Sequence, residues 1–481
     1  MRVSKYYYCA VTLILAFFLS ATQVFSFSTS DINDLIRKYE LEKSTIAIKV
    51  ITLPSNKTIY EKNADAPMII ASNTKLFSTA AALCKLGPDF KFTTSISYDG
   101  VITGNSLQGN LVVWSNGDPN ISGRFYDNNP TAVFEEWTNK LVKSGIRKVK
   151  GNLIIDQSAF DKECIRPTWP QDQLSYWYCA PISAVSFNDN CVEITVWADP
   201  KTGRMRYTLS PATKYVKVSF KVKSDKKLSA SQLKFSREMG TNNINIRGRA
   251  SPQDLPFKEF ITVENPGLFF GTVLKETLAK KGITISGRIL MADEPYKPSN
   301  KNIRISETST DLVQAIDVVN KHSQNFYAEQ ILKAMAYNYQ GKGTRADGLK
   351  IISEFLCKEV GFANDSFIIS DGSGLSRENR FTADQIINLL KYMHGHKYFS
   401  IFRDSLNYER WLFSDMERVW TKTGYLKNAL ALAGYILREK DEYYIFSLII
   451  NDFEEPAGRP AGPGLENAER FRAEFIRLLQ K

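Results

Sequence analysis

The spacing of apolar residues changes along this chain and predicts several kinds of region. Between residues 45 and 61 apolar and polar residues alternate as in a β-hairpin, and from about 71 to 86 apolar residues recur at helical spacing. From about 92 to 286 short alternating runs, separated by turn residues, predict many strands with a few helices between them. From 308 to 393 the spacing is again that of helices.

The end of the chain returns to strands and then closes with a helix. Apolar runs predict strands at 417–421, 429–436 and 443–450, and helical spacing follows at 466–479. Together with the hairpin at 45–61, these strands would form an antiparallel sheet of about five strands flanked by helices. We therefore predict an α+β domain built from both ends of the chain.

The β-rich middle of the chain is then predicted to be a large insertion into that domain. At 481 residues, 43% of them hydrophobic, the chain is long enough for two or three cores. We place the first segment of the domain at 27–92, the insertion at 93–294 and the second segment at 295–481. A lysine- and serine-rich stretch at about 199–254 predicts a small β unit of its own inside the insertion.

Residues 1–26 have the pattern of a secretory signal peptide. Basic residues precede an apolar run from Cys9 to Ala21, and Val24 and Ser26 have the spacing of a cleavage site. The run is shorter than the ~20 residues that a membrane span needs, although an uncleaved N-terminal anchor is the alternative. We expect the protein to be secreted across the cytoplasmic membrane, to the periplasm or the cell exterior.

Charge restricts the classes of partner. The formal net charge is +11, and only Arg2 and Lys5 of the signal peptide are lost on cleavage, so the mature chain stays basic. No block of lysine and arginine is interleaved with aromatic residues, so we predict no nucleic-acid partner. Anionic wall polymers or lipid headgroups suit a basic exported protein better, with at most peripheral membrane association. The oligomeric state stays open.

Cysteines and histidines give no metal or redox motif. The odd number of cysteines after cleavage leaves at least one unpaired in a monomer, and the three between 164 and 191 could hold one disulfide. His394 and His396 lack further ligands, so no metal site is expected. The cysteines of the mature chain are Cys84, Cys164, Cys179, Cys191 and Cys357.

Candidate chemistry begins with Ser72-Asn-Thr-Lys75, which we place in the first turn of a buried helix. Residues three apart share a helix face, so the amine of Lys75 can reach the hydroxyl of Ser72. A lysine with an ordinary pKa of ~10.4 is charged at neutral pH, and lowering that pKa by ~3 units takes about 4 kcal/mol of burial or neighbouring positive charge. Serine and lysine recur at this spacing at 224/227 and 231/234, but those stretches are polar and cannot desolvate an amine.

Two further short motifs could supply partners for Ser72. Ser323-Gln-Asn325 opens a predicted helix, and Lys422-Thr-Gly424 lies in a strand-like run, where glycine allows a substrate to approach the backbone. Similar strings occur elsewhere, such as the one at 201–203, which fits a hairpin turn. The surrounding pattern, rather than the strings alone, selects these two.

In this order, the three motifs resemble the set found in penicillin-interacting serine acyl-transferases. The 251 residues between Ser72 and Ser323, with a β-rich insertion, resemble the class C low-molecular-mass penicillin-binding proteins, which are D-alanyl-D-alanine carboxypeptidase/endopeptidases. Other stretches are also similar to that family: Gly109-Asn-Leu-Val, Gly117-Asp-Pro119, Ala180-Pro-Ile-Ser-Ala184 and Asp371-Gly-Ser-Gly-Leu-Ser-Arg377.

The resemblance implies a penicillin-binding/β-lactamase-like transpeptidase domain and a serine DD-peptidase that acts on peptidoglycan stem peptides, with β-lactam antibiotics as covalent inhibitors and no cofactor. Ser72 would attack the carbonyl between two D-alanines, and Lys75 would accept its proton, although the identity of the base is disputed in related enzymes. Ser323 would relay that proton to the leaving amine, while Asn325 and Lys422 fix the network.

The resemblance also implies substrate contacts. Backbone N–H groups of Ser72 and Tyr425 would form the oxyanion hole beside Gly424, and Thr423 would bind the terminal carboxylate. The family usually has a small residue at the position of Tyr425, so tyrosine would narrow the cleft.

Outside the three motifs, Trp169 and Asp172 resemble a pair that contacts the free end of the peptide side chain in some members; a buried aromatic beside a surface acid fits them equally. The stretch from Asp371 to Arg377 fits either a loop near the cleft or a glycine turn before a helix.

Three other functions share some of these features. A serine β-lactamase would have the same motifs, and a non-catalytic peptidoglycan-binding protein would keep the fold but lose the serine or the lysine. His322 beside Ser323 suggests a serine-histidine hydrolase, but the chain has no Gly-x-Ser-x-Gly elbow. The DD-peptidase is the function that the whole pattern favours.

Overall fold

The structure is a computed structural model that describes residues 29–299, 301–406, 418–439, 442–454 and 463–480. The predicted signal peptide and residue 417, the first of the strand predicted at 417–421, lie outside the described residues. Within the described ranges, none of the helices is long and apolar enough to cross a membrane.

Helices are numbered here along the described chain. They are α1 (Thr29–Lys38), α2 (Thr74–Leu86), α3 (Ala132–Lys143), α4 (Pro266–Lys280), α5 (Leu312–Lys321), α6 (Asn325–Gln340), α7 (Arg345–Phe355), α8 (Ala383–Gly395), α9 (Phe399–Ser405) and α10 (Pro463–Gln480).

The chain divides into two compact units. Among the described residues, one unit consists of 29–43, 454 and 463–480, in which α1 packs against α10, and the other consists of those between 44 and 453. The segments predicted at 27–92 and 295–481 included both terminal helices in the transpeptidase-like domain. The structure instead places these helices in a unit of their own.

A central antiparallel sheet joins strands from both ends of the second unit. Its described strands, in spatial order, are Val419–Leu426, Ala429–Glu439, Glu442–Asn451, Thr45–Leu53 and Thr58–Lys62. The third of these is buried along nearly its whole length, as its apolar sequence requires of a strand covered on both faces. The predicted sheet of about five strands flanked by helices is confirmed.

Helix α2 is buried from Thr74 to Leu83 and packs against α5, α6, α7 and α9. Alanines at 80–82 and large apolar residues such as Phe77 give it the composition of a core helix, and its polar residues Lys75, Ser78 and Thr79 are buried as well. The ring of Phe77 stacks on Phe381 with centroids 4.2 Å apart. The helix ends at Gly87, whose φ of +80° favours glycine.

The remaining described strands belong to the middle of the chain. They form a five-stranded sheet (Ile289–Ala292, Leu153–Asp156, Leu111–Ser115, Lys91–Asp99, Asn302–Asp311), a four-stranded sheet (Thr284–Ile285, Lys148–Val149, Ser106–Gln108, Val101–Thr103) and two three-stranded sheets (Met205–Ser210, Cys191–Ala198, Phe257–Thr262; Lys217–Ser224, Asn243–Ala250, Gln232–Arg237).

The edges of this middle region differ from the predicted 93–294. The strand Lys91–Asp99 pairs with Asn302–Asp311, so the chain leaves these sheets only at residue 312. The strand Asn302–Asp311 has polar residues at almost every second position. The sequence analysis did not include it in the insertion because its partner strand lies some 200 residues earlier in the chain. Pairing at that range leaves no local signal.

Two hydrophobic cores underlie this arrangement. One lies within residues 96–285, and the other is formed by the central sheet, the helices around α2 and apolar residues from 159–191 of the middle region. The stretch 159–191 therefore packs with the central sheet's domain although its sequence neighbours belong to the insertion. This packing brings part of the insertion to the site described below.

Replacing Phe77 tests the core that supports α2. Phe77→Ala removes a fully buried ring and leaves a cavity, so we expect it to lower the free energy of unfolding by about 3–5 kcal/mol. Chemical denaturation would measure the loss. Phe260→Ala is the control because that ring is 41% exposed, and it should cost far less. Equal losses from the two variants would contradict the role given to this core.

Candidate active site

Ser72 and Lys75 meet where a short 3₁₀ turn leads into α2. The turn spans Ala71–Asn73, so Ser72 lies just before the α-helix. The sequence had predicted it in the first turn of the helix. Residues i and i+3 eclipse each other in a 3₁₀ turn, which keeps the two side chains together. The Nζ atom of Lys75 lies 2.9 Å from Oγ of Ser72.

Three acceptors from different elements surround the Lys75 amine, which is fully buried. Besides Ser72, its Nζ donates to Oδ1 of Asn325 at 2.6 Å and to the carbonyl oxygen of Ser373 at 2.5 Å. Burial lowers the pKa of Lys75 to about 7, while the carboxylates of Asp371 and Glu329 act in the opposite direction. The sequence left open whether burial or neighbouring positive charge would lower the pKa of Lys75. The structure provides burial.

Lys422 and Ser323 form a second amine–hydroxyl pair. Lys422 lies in the strand Val419–Leu426 and is 1% exposed; its Nζ donates to Oγ of Ser323 at 2.8 Å and to the carbonyl oxygen of Thr423 at 2.8 Å. Ser323 precedes α6 with a φ of +53°, a conformation that non-glycine residues seldom adopt. Asn325 begins α6, and its Nδ2 donates to the carbonyl oxygen of Tyr178 at 2.8 Å.

Gly424 lets the edge strand approach the Ser72 turn. A Cβ atom at this position would lie 2.6 Å from the carbonyl oxygen of Ile70 and 3.1 Å from the backbone nitrogen of Ser72. Those distances leave no room for any other residue type. Close approach of the strand also places Tyr425, which is 46% exposed, beside the 3₁₀ turn Ala71–Asn73, called here the nucleophile turn.

These groups open onto a cavity of about 610 Å³. Its wall combines the predicted motifs with side chains from the middle region and from the loop after α7. The lining residues are Ser72, Thr168, Pro170, Gln173, Trp177, Tyr178, Ser323, Asn325, Gly374, Leu375, Arg377, Thr423, Tyr425, Leu426 and Lys427. Lys75 and Lys422 lie behind the two hydroxyls rather than in the wall.

Four lining residues carry relevant chemistry and were not predicted as site residues. Trp177 and Tyr178 come from the middle region, and Arg377 and Lys427 add positive charge to the cavity. Tyr178 stands two residues before the family-like stretch that starts at Ala180, which was the available signal. Lys427 follows the strand Val419–Leu426 and has no motif of its own.

Trp169 is not among the residues that line the cavity, and its predicted contact with the substrate stays a prediction. Its side chain is 2% exposed, and its Nε1 donates to Oδ2 of Asp371 at 3.0 Å. Asp172 is exposed and also lies outside the lining. The structure therefore matches the alternative of a buried aromatic with a surface acid.

The loop that starts at Asp371 reaches the cavity, which decides between its two interpretations. Its buried carboxylate accepts hydrogen bonds from Trp169, Asn379 and the backbone N–H groups of residues 374 and 376, at 2.7–3.0 Å. Gly374 has a φ of +81°, and a Cβ there would lie 1.9 Å from the carbonyl oxygen of Ala71. The loop is thus fixed against the nucleophile turn.

The competing candidates lie elsewhere. In the other two Ser-x-x-Lys strings, Lys227 and Lys234 are exposed, in contrast to Lys75. His322 is exposed as well. Cys84, Cys164, Cys179, Cys191 and Cys357 are free thiols, so the disulfide considered within 164–191 does not form. Among the described residues, acidic, histidine and cysteine side chains form no group that could hold a metal ion.

A five-stranded antiparallel sheet with its nucleophile turn against an edge strand is the architecture of the penicillin-binding and β-lactamase-like proteins. A crystal structure of penicillin binding protein 4 (dacB) from Haemophilus influenzae shares the fold with a TM-score of 0.79 at 23% identity, over 94% of this chain and 99% of that one. The same protein complexed with a novel beta-lactam gives a TM-score of 0.73 at 24% identity, with the same coverage.

Sequence comparison gives the family. The chain belongs to the D-Ala-D-Ala carboxypeptidase 3 (S13) family, whose profile matches residues 28–469. It is 27% identical to a D-alanyl-D-alanine carboxypeptidase of Actinomadura sp. (strain R39) over 89% of this chain and 81% of that protein. It is 25% identical to the D-alanyl-D-alanine carboxypeptidase DacB of Haemophilus influenzae over 89% of each. The protein is a serine-type D-Ala-D-Ala carboxypeptidase of this family.

Gly424→Ala should separate the edge strand from the Ser72 turn. The added methyl group meets backbone atoms, so the strand must move. The distance between the backbone N–H groups of Ser72 and Tyr425, which are expected to form the oxyanion hole, then changes. We expect acylation by a penicillin to slow by about 10²-fold or more, the usual effect of losing one oxyanion-hole donor. Stopped-flow or quenched labelling would measure the rate.

Gly395→Ala is the matched control, because a Cβ there meets nothing within 4 Å. It should leave the acylation rate unchanged. Equal rates for Gly424→Ala and the unmodified protein would show that the close approach of the strand is not needed.

Proposed function

We propose that the protein hydrolyses the D-alanyl-D-alanine bond of peptidoglycan stem peptides through an acyl-enzyme on Ser72. The observation that carries this proposal is the fully buried amine of Lys75, 2.9 Å from the Ser72 hydroxyl at the wall of the cavity. When the amine is neutral, its nitrogen lies within hydrogen-bond distance of the Ser72 hydroxyl and can accept the proton of that group.

Acylation would proceed as follows. Lys75 takes the proton of the Ser72 hydroxyl while Oγ attacks the carbonyl carbon of the penultimate D-alanine. The backbone N–H groups of Ser72 and Tyr425 stabilise the negative charge on the carbonyl oxygen. When the C–N bond breaks, the proton passes through Ser323, held by Lys422, to the leaving amine, and D-alanine departs.

Deacylation completes the reaction. A water molecule gives a proton to the Lys75 amine as its oxygen attacks the ester carbonyl on Ser72. The C–O bond to Ser72 then breaks, and the proton taken from the water passes to the serine oxygen. The peptide leaves with a new terminal carboxylate. With a second peptide in place of terminal D-alanine as leaving group, the same steps give endopeptidase cleavage of cross-links.

Positive charge at one side of the cavity supports binding of a peptide that ends in a carboxylate. Arg377, Lys427 and Thr423 are among the residues that line the cavity. The Nη1 atom of Arg377 donates to the carbonyl oxygen of Lys427 at 2.6 Å, which fixes the orientation of the guanidinium group. Thr423 and Arg377 would together bind the terminal carboxylate.

Export to the periplasm or the cell exterior is part of the proposal. Peptidoglycan lies outside the cytoplasmic membrane, and the predicted signal peptide and the basic net charge of +11 both support action on an anionic wall.

Labelling with a tagged penicillin tests the proposed nucleophile. We expect a stable adduct of one penicillin per chain, and no adduct on Ser72→Ala, when intact mass is measured. Ser224→Ala is the control because it removes the serine of another Ser-x-x-Lys string and should label normally. Rapid turnover of the penicillin would indicate a β-lactamase, and absence of labelling would indicate a non-catalytic binding protein.

The pH dependence of acylation tests the role of Lys75. Its pKa of about 7 means that the neutral, proton-accepting form increases as pH rises and is complete above that value. We therefore expect the rate to fall about tenfold per pH unit below ~7 and to level off above it. Lys75→Ala should lose this limb together with most of the rate. A flat profile between pH 5 and 8 in the unmodified protein would exclude Lys75 as the base.

A further inference from the structure

A second buried carboxylate lies behind Lys75 and has no part in the steps above. Glu329 is on α6, one turn after Asn325, so both side chains lie on the same face of the helix. Its side chain is 1% exposed. A buried carboxylate must have partners that offset the loss of water, and those partners indicate what the residue does.

One partner connects Glu329 directly to the Lys75 amine. Oε1 of Glu329 accepts the N–H of Ser373 at 2.9 Å, and the carbonyl oxygen of the same Ser373 accepts from Nζ of Lys75 at 2.5 Å. Asn325 contacts Nζ from the same helix. Glu329 thus fixes the residue whose carbonyl holds the amine.

The other partner is Arg345, whose positive charge favours the ionised form of Glu329 and opposes the rise in its pKa that burial causes. Nε of Arg345 lies 3.6 Å from Oε2 of Glu329, and both side chains are 1% exposed. Arg345 also pairs with Glu163, which is 41% exposed. Burial and the nearby Asp371 raise the pKa of Glu329, whereas Arg345 and Ser373 lower it.

Two carboxylates, those of Asp371 and Glu329, favour the charged form of the Lys75 amine electrostatically, but they are held in different ways. Asp371 receives four hydrogen bonds that fold its own loop, so its removal would disturb the loop. Glu329 instead receives one loop hydrogen bond and projects from a rigid helix. Its charge can therefore be removed with much less change in structure.

We infer that Glu329 is a positioning residue for the acylation step, which holds the Ser373 carbonyl on the Lys75 amine and supplies the negative charge that lets this amine carry a proton inside the protein. The inference rests on the proposed function. A base that must also return its proton works best when both of its forms are accessible near the working pH. Burial alone would leave the amine neutral and unable to hold the proton that it takes from Ser72.

The test is Glu329→Gln, which keeps an oxygen acceptor for the Ser373 N–H but removes the charge. Because the charge raises the pKa of Lys75, its loss should move the acid limb of the acylation profile to lower pH, by ~1 unit, and should lower the plateau rate on the order of tenfold. Glu163→Gln, on the far side of Arg345, is the matched control and should keep the unmodified profile.

Glu329→Asp is the second variant, since it retains the charge on a shorter side chain. We expect its plateau to fall while its midpoint stays near that of the unmodified protein. The inference would be overturned if the pH profile of Glu329→Gln overlaid that of the unmodified protein. It would also be overturned if Glu329→Asp had the same midpoint as Glu329→Gln. Failure of the proposed function is a separate result, seen as no Ser72-dependent labelling of the unmodified protein at any pH.

Discussion

The site depends on moving one amine out of water. Lys75 loses its hydration inside the protein, and the three acceptors that replace it come from the turn before α2, from α6 and from the loop after Asp371. A charged amine could be held in such a place only by full compensation, so the balance shifts toward the neutral form and the pKa falls to about 7. That balance requires the three elements to keep their relative positions, to within about 0.5 Å as functional sites generally need. The packing around them therefore serves the chemistry as well as stability.

Chain connectivity explains how such distant segments can be held so closely. The elements that meet at Lys75 are separated by some 250 and 300 residues, but the middle region between them has a hydrophobic core of its own within residues 96–285. Lengthening a connection costs only ~0.6 kcal/mol for each doubling, and a segment that folds by itself costs less. Residues 159–191 return from this region to pack with the central sheet, so the insertion supplies Trp177 and Tyr178 to the cavity.

The sequence predicted what depends on local pattern and on motif order. The central sheet and the meeting of Ser72, Lys75, Ser323, Asn325 and Lys422 followed from periodicity and from the resemblance. The strand Asn302–Asp311 was missed because its partner is far away in sequence. The sequence left two interpretations of Trp169 open because a tryptophan in a loop gives no sign of whether it faces a cleft or a carboxylate. The 3₁₀ turn at Ser72 lies against Gly374, which comes some 300 residues later in the chain, and no local pattern reports that contact.

The cavity wall bears on whether an acyl-enzyme would persist. A class A β-lactamase releases its acyl group through a glutamate that activates a water molecule. Among the described residues that line this cavity there is no aspartate or glutamate, while Arg377 and Lys427 contribute positive charge. The two carboxylates nearest to Lys75 are buried and already bonded, Asp371 to its own loop and Glu329 to Ser373 and Arg345. A water beside a penicilloyl group on Ser72 would therefore find no carboxylate base in the wall, which favours a slow release and a peptidase rather than a lactamase.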